Sequence, residues 1–195
     1  YTLQLRIAEN NCVKEVRFGL RTVTVTENTI CINQEPVFLR GLNRHQSFPY
    51  VGYAATESLQ REDARILDEE LGVNAVRTSH YPQSQYFIDE CDKRGILVFT
   101  EIPGWQHISQ DAHWKQICCN NVKDMVRQYR NHPSICLWGV RINESQDDDA
   151  LYTQTNAIAH ALDPTRPTSG VRYLEKSSLL EDVYSYNDFS HTGDN

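Results

Sequence analysis

The chain contains no apolar run of about 18 residues or more, which excludes an ordinary membrane-spanning helix. It also does not open with a charged segment followed by an apolar signal core, although a lost natural amino terminus would remove that information. No glycine-rich loop opens a helix in the dinucleotide-binding pattern, and no GxSxG nucleophile turn is present. Nucleotide chemistry and serine hydrolysis therefore lack support. Basic charge is in deficit: 19 Lys and Arg face 26 Asp and Glu, for a formal charge of −7. Such a balance gives no general attraction for nucleic acid or an anionic membrane, while leaving local basic sites open. The six cysteines, Cys12, Cys31, Cys91, Cys118, Cys119 and Cys136, form no CxxC pair and no metal-ligand spacing. They are expected to be free thiols, mostly in the core.

What the chain does have is alternation between strand-like and helix-like periodicity. Thr2 to Ile7 places Leu3, Leu5 and Ile7 on one side, as in a half-buried strand. Val23 and Val25, Ile30-Cys31-Ile32 and Val37-Phe38-Leu39 are separated by turn residues and predict a small antiparallel unit. Beyond it, strands are expected at 37–42, 74–78, 96–99, 135–138, 168–171 and 182–186. Helices are expected at 57–71, 84–94 and 113–129, with another marked by Leu151, Ile158 and Leu162. Ser145 and Asp148 have capping-box spacing before that last helix.

Repeated strand-helix units form either a doubly wound sheet or a closed barrel. The polar residues favour the barrel. Asn43-Arg44-His45, Arg77 and His80, Glu101, Asn143-Glu144 and Asn187-Asp188 all follow different apolar strands, as expected where strand ends converge on one active-site rim. At 195 residues the chain is shorter than the roughly 250 typical of a complete eight-stranded barrel. The expected class is α/β: a partial (β/α)8 TIM barrel.

Glu144 is the leading chemical candidate, because a carboxylate at the exit of the buried Ile135-Cys136-Leu137-Trp138 strand is placed to transfer a proton. Partial burial near another carboxylate would raise its pKa and suit it as an acid. Glu101 stands at the preceding strand exit. For both, a salt-bridge or helix-capping role is the competing reading. Asn143 offers a donor and an acceptor to a sugar hydroxyl, or bonds only to its own turn. Arg77 has the forked geometry to hold a carboxylate, and His80 can meet a hydroxyl or support the network behind it. Arg44 and His45 are equally suited to the site or to stabilising their loop. Trp105 and Trp138 are stacking candidates or core residues, and Phe189 and Tyr186 are weaker ones. Asp147-Asp148-Asp149 lacks a calcium-loop pattern and is expected to face solvent at a helix amino end.

The segments Phe38-Leu39-Arg40-Gly41-Leu42-Asn43-Arg44-His45, Asn74-Ala75-Val76-Arg77-Thr78-Ser79-His80-Tyr81-Pro82, Asn131-His132-Pro133-Ser134 and Asn143-Glu144-Ser145 together resemble glycoside hydrolase family 2, which includes β-galactosidases and β-glucuronidases. The resemblance implies that residues 1–16 are the C-terminal strands of an immunoglobulin-like β-sandwich and 17–195 the N-terminal part of a TIM-barrel glycosidase domain. It implies a retaining exo-β-glycosidase with Glu144 as general acid/base and a nucleophile beyond this sequence. His45, His80 and Asn143 match substrate-contacting positions, Arg77 matches a residue supporting the catalytic carboxylates, and Glu101 is grouped with that support.

β-Galactosides are the first expectation for substrate, β-glucuronides the alternative, and a non-catalytic carbohydrate-binding module or inactive fragment the competing class. Two departures stand out. Gly139-Val140-Arg141-Ile142-Asn143 is a longer turn than familiar β-galactosidases have before the Asn-Glu pair, and Trp105 falls where one magnesium ligand of the best-known type would be. No cofactor is assigned, and magnesium stays open. The expected partner is a β-linked carbohydrate, with neither nucleic acid nor membrane, and with homo-oligomerisation expected only of a full-length protein. The segment fixes no compartment; cytoplasmic and periplasmic locations are both compatible with it.

Overall fold

The computed structural model describes residues 1–173 and 176–189. Two small antiparallel sheets precede a six-stranded parallel sheet. Strands β1 (Thr2–Arg6) and β2 (Val13–Arg17) form a hairpin whose residues are all exposed, so the expected half-buried face has no cover among the described residues. Strands β3 (Val23–Val25), β4 (Ile30–Ile32) and β5 (Glu35–Val37) make a meander. Val23, Ile30 and Ile32 pack with Leu97, Cys136 and Val183, near the amino ends of three later strands. Arg21 fastens the meander there by donating to the carbonyls of Pro133 and Ile135 at 2.9 and 2.6 Å.

The large sheet contains β6 (Gly41–Arg44), β7 (Ala75–Thr78), β8 (Leu97–Glu101), β9 (Ile135–Gly139), β10 (Thr168–Arg172) and β11 (Val183–Tyr186). They lie side by side in chain order, all parallel. A doubly wound sheet reverses its strand order partway, whereas uninterrupted order is that of a barrel. The fold is therefore a curled half-barrel, preceded by antiparallel sheets consistent with the remnant of a β-sandwich.

Helices α1 (Glu57–Arg65), α2 (Gln85–Arg94), α3 (Ala112–Tyr129) and α4 (Asp149–Leu162) cross between successive strands. Phe87, Ile88 and Cys91 from α2, and Cys118, Val122, Met125, Val126 and Tyr129 from α3, pack on Val76, Val98 and Ile135 of the sheet. Burying each larger apolar side chain contributes roughly 1.5–3 kcal/mol against the entropy of ordering it. Every residue of β9 is buried, which explains its continuous apolar reading.

Three local expectations give way to specific interactions. The strand expected over 37–42 is broken, because the Asn74 side chain accepts from Arg40 N and donates to Phe38 O, drawing those residues out of the sheet. The helix expected over 57–71 ends in a π turn, Ile66–Glu70, and the added residue per turn leaves Leu71 55% exposed instead of on the apolar stripe. Ser145 does not cap α4. Asp148 does so by accepting from Leu151 N at 3.0 Å, while the Ser145 hydroxyl bonds to Ile142 O and to Tyr152.

Candidate active site

The carboxyl ends of β6, β7, β8 and β9 and the segment after β11 bring the polar residues together. Arg77, next to last in β7, donates from Nε and Nη2 to the two oxygens of Glu101 at 2.7 and 3.1 Å. Glu101 is only 2% exposed, so this forked pairing is what makes a buried carboxylate tolerable. The same Nη2 reaches Asn143 Oδ1 at 2.5 Å and His80 Nδ1 at 3.1 Å. His80 Nδ1 also lies 3.5 Å from Glu101 Oε2, so the imidazole adjoins both members of the Arg77-Glu101 pair. Asn143 Nδ2 is a buried donor with no hydrogen-bond partner among the described residues. Four candidates thus form one network, with Arg77 at its centre.

His45 stands edge-on to His80, ring centroids 5.4 Å apart, with its Nδ1 3.4 Å from the Tyr81 hydroxyl. Burial pushes the His45 imidazole pKa down, and the neighbouring His80 and Arg77 add to the shift. Arg44 leaves the site. It is 6% exposed, donates to Asp63, Gln60 and Gln83, and lies 4.0 Å over the Phe87 ring, so it locks the first strand to α1 and α2.

Glu144 sits just past β9 in a left-handed conformation, φ 53°, an uncommon one for a residue with a side chain. Its amide donates to Val171 O of β10 at 2.8 Å, which holds the turn against the next strand. Three neutral groups hold the carboxylate. Trp105 Nε1 and Gln106 Nε2 donate to Oε2 at 2.7 and 3.1 Å, and Asn187 Nδ2 donates to Oε1 at 2.5 Å. Burial alone pushes the Glu144 carboxyl up, but the bonds from Trp105, Gln106 and Asn187, with the charge of His80, outweigh it. Its pKa is lowered, opposite to the direction expected of an acid beside a second carboxylate, because its immediate neighbours here are donors.

The remaining candidates separate cleanly. Trp138 is fully buried, with its indole N–H on Asp163, and is a core residue. Tyr186 is 38% exposed, its ring tilted against that of Tyr184 at 6.3 Å, and Phe189 is 60% exposed. Asp147 binds Arg141 and Ser177, and Asp148 binds Lys115. This acidic run therefore pins its loop in addition to flanking the start of α4. Asn131-His132-Pro133-Ser134 lies away from Glu144: Asp92 of α2 accepts from Ser134 N and pairs with His132, tying the α3–β9 turn to α2.

Asp89, Asp92 and His132 offer ligand atoms within 4.8 Å of one another, the one group among the described residues compact enough to hold a metal ion. His132 and Asp92 already satisfy one another, and Gln85 meets the other imidazole nitrogen, so the set is a weak match for oxygen-seeking magnesium. No helix among the described residues is long and apolar enough to cross a membrane.

Sequence reasoning missed the donors on Glu144. The sequence reading does not single out Gln106, weighs Trp105 for its ring and for the magnesium-ligand position it fills, and takes Asn187 only from its place after a strand. Neutral donors carry neither charge nor periodicity, so the sequence offers no signal that would single them out.

A held carboxylate, a buried Arg-Glu pair and two histidines at successive strand ends form a polar cluster on the rim where α/β barrels carry their active sites. The comparisons make the class specific: the model of glycosyl hydrolases family 2, TIM barrel domain, matches residues 23–192, and the chain belongs to that family. It is 58% identical over 186 residues to a β-galactosidase of Thermoanaerobacter pseudethanolicus, covering 94% of this chain and 25% of that protein. It is 53% identical over 197 residues to a β-galactosidase of Thermoanaerobacterium thermosulfurigenes, covering 100% of this chain and 27% of that protein. Among solved structures, the apo form of Bacteroides uniformis β-glucuronidase 3 superposes with a TM-score of 0.85 at 31% identity, covering 96% of this chain and 25% of that one. The chain thus spans about a quarter of the length of these relatives.

Proposed function

We propose that this chain is part of a retaining exo-β-glycosidase in which Glu144 is the general acid/base. The observation that carries the reading is the Glu144 carboxylate, held by three uncharged donors beside the Arg77-Glu101-Asn143-His80 network. In the first step Glu144 gives its proton to the glycosidic oxygen as the bond to the anomeric carbon breaks and a second carboxylate attacks that carbon. In the second step ionised Glu144 takes a proton from water, which releases the sugar with retained configuration.

Glu101 is unsuited to be that nucleophile, since Arg77 occupies both its oxygens. The second carboxylate comes from the part of the relatives' length that this chain does not span. Its negative charge, placed about 5–5.5 Å from Glu144, would push the acid's pKa back up. The lowered pKa in its absence suits the water-activating step.

Asn143, with its unpaired amide, His80 and His45 are assigned to sugar hydroxyls, and Arg77 and Glu101 to holding Asn143 in place. For the sugar, the two curated relatives described above are β-galactosidases, while the solved structure is a β-glucuronidase. β-Glucuronides therefore stand beside β-galactosides as substrates to be tested.

The test is the full-length protein assayed on chromogenic β-galactoside and β-glucuronide, with Glu144→Gln in parallel. The variant is expected to keep sugar binding and lose on the order of 100-fold or more in turnover. Unchanged turnover removes the acid/base assignment, and a wild type inert to β-linked sugars in general favours a binding module instead.

A further inference from the structure

We propose that Trp105 builds the leaving-group side of the site, its indole N–H orienting Glu144 and its ring forming a platform for the group that departs. The inference rests on the glycosidase reading and deepens it.

The three tryptophans have different fates. Trp138 is sealed in the core and Trp114 packs against it, whereas Trp105 is 61% exposed. That exposure does not reflect a loose loop. Gly104 N donates to His80 O, Gln106 N donates to Asn143 O at 2.7 Å, and Trp105 forms a parallel bridge with Asn143. A Cβ on Gly104, whose φ is +145°, would meet Ile142 Cδ1 at 2.5 Å, so the loop is seated directly on the segment that carries Glu144. A large apolar ring is thus held in water by backbone on both sides, its one polar atom 2.7 Å from Glu144 Oε2.

The chemistry gives this placement its meaning. The acid/base transfers its proton to the glycosidic oxygen, and the other substituent on that oxygen is the leaving group. Asn143, Arg77 and His80 are joined by side-chain bonds into the network to which the sugar is assigned. The Trp105 side chain bonds instead to the carboxylate that gives up the proton, so a ring bonded to Oε2 and open to solvent borders the oxygen that receives the proton and the group that departs with it. A ring face there suits the apolar face of a second sugar or an aromatic aglycone.

The test uses the full-length protein with Trp105→Phe and Trp105→Ala. Substrates are a β-linked disaccharide, the matching methyl glycoside and the p-nitrophenyl glycoside. Trp105→Phe keeps a ring and loses the donor. Charged groups facing Glu144 are His80 and, behind it, Arg77 and Glu101; the donors from the β8 loop and after β11 are neutral. Removing one donor to the carboxylate makes its ionised form less favourable, so the alkaline limb of kcat/KM is expected to move up by about one pH unit. The rate is expected to fall more for the methyl glycoside than for p-nitrophenyl, whose departure needs little protonation. Trp105→Ala also loses the platform, so the disaccharide is expected to lose on the order of tenfold more in kcat/KM than the methyl glycoside. Folded, active variants with wild-type substrate ratios and an unmoved alkaline limb overturn this inference alone. A wild type that hydrolyses none of the three overturns the glycosidase reading and this inference with it.

Discussion

Arg77 carries more of the site than its single charge suggests, since it serves Glu101, Asn143 and His80 at once. Arg77→Met leaves the buried Glu101 carboxylate with only His80, 3.5 Å away, in place of its forked partner, and a loss of about 3 kcal/mol in stability is expected by denaturant titration. The double variant Arg77→Met/Glu101→Gln is expected to recover a large part, because the stranded charge is gone. A second residue-scale prediction concerns acid. Burial pushes the Asp163 carboxyl up, but bonds from Thr165 and Arg166 outweigh it and lower its pKa. A depressed folded value means the contribution is present above the unfolded value, roughly 3.9, and is lost as pH falls through the folded one. The stability gap between wild type and Asp163→Asn is therefore expected to be constant near neutrality and to shrink below about pH 4. Legibility at this scale followed charge and strand position. Arg77, His80, Glu101 and Glu144 could be found because ionisable groups after apolar strands are conspicuous. Gln106 and the indole N–H of Trp105 could not, because neutral donors leave no charge or periodic signature.

Strand order was readable from alternating periods, and the failures lie where side chains compete with the backbone. Asn74 removes residues from a strand, and a π turn rotates Leu71 off its stripe, neither of which hydrophobic spacing encodes. Close strand approach is another such feature. Gly139 faces the end of β8, where an added Cβ would lie 2.6 Å from Glu101 Cγ and 2.9 Å from Thr100 O. Backbone cannot yield as a flexible side-chain tip does. Gly139→Ala is expected to cost about 3 kcal/mol and to displace Glu101 from Arg77. Thermal unfolding reads the first effect, and a weakened response to Arg77→Met in the same background reads the second. A shift in Tm near zero would mean that β9 slides past β8 at little cost.

The six parallel strands leave two sheet edges, β6 and β11, and an inner surface that an eight-stranded barrel would enclose. Leu42 is 48% exposed, and a hollow lined by Leu42, Val76, Phe99, Cys136 and Leu137 lies across β6 to β9. The half-barrel was legible from length and from polar strand exits. The exposure of the β1–β2 hairpin was not, because alternation shows that a face is apolar without showing what covers it. Open edges and uncovered apolar surface make a consistent expectation for the 195 residues expressed alone. They are expected to bind a hydrophobic dye, to associate with rising concentration in sedimentation, and to hydrolyse no β-linked sugar, since the proposed mechanism needs an attacking carboxylate supplied from elsewhere. Adding the chain that supplies the remaining strands is expected to abolish dye binding and bring turnover together, because closing the barrel covers the inner face and completes the carboxylate pair in one event. If dye binding disappears without turnover, the strands close the barrel but the pair around Glu144 is not the catalytic one.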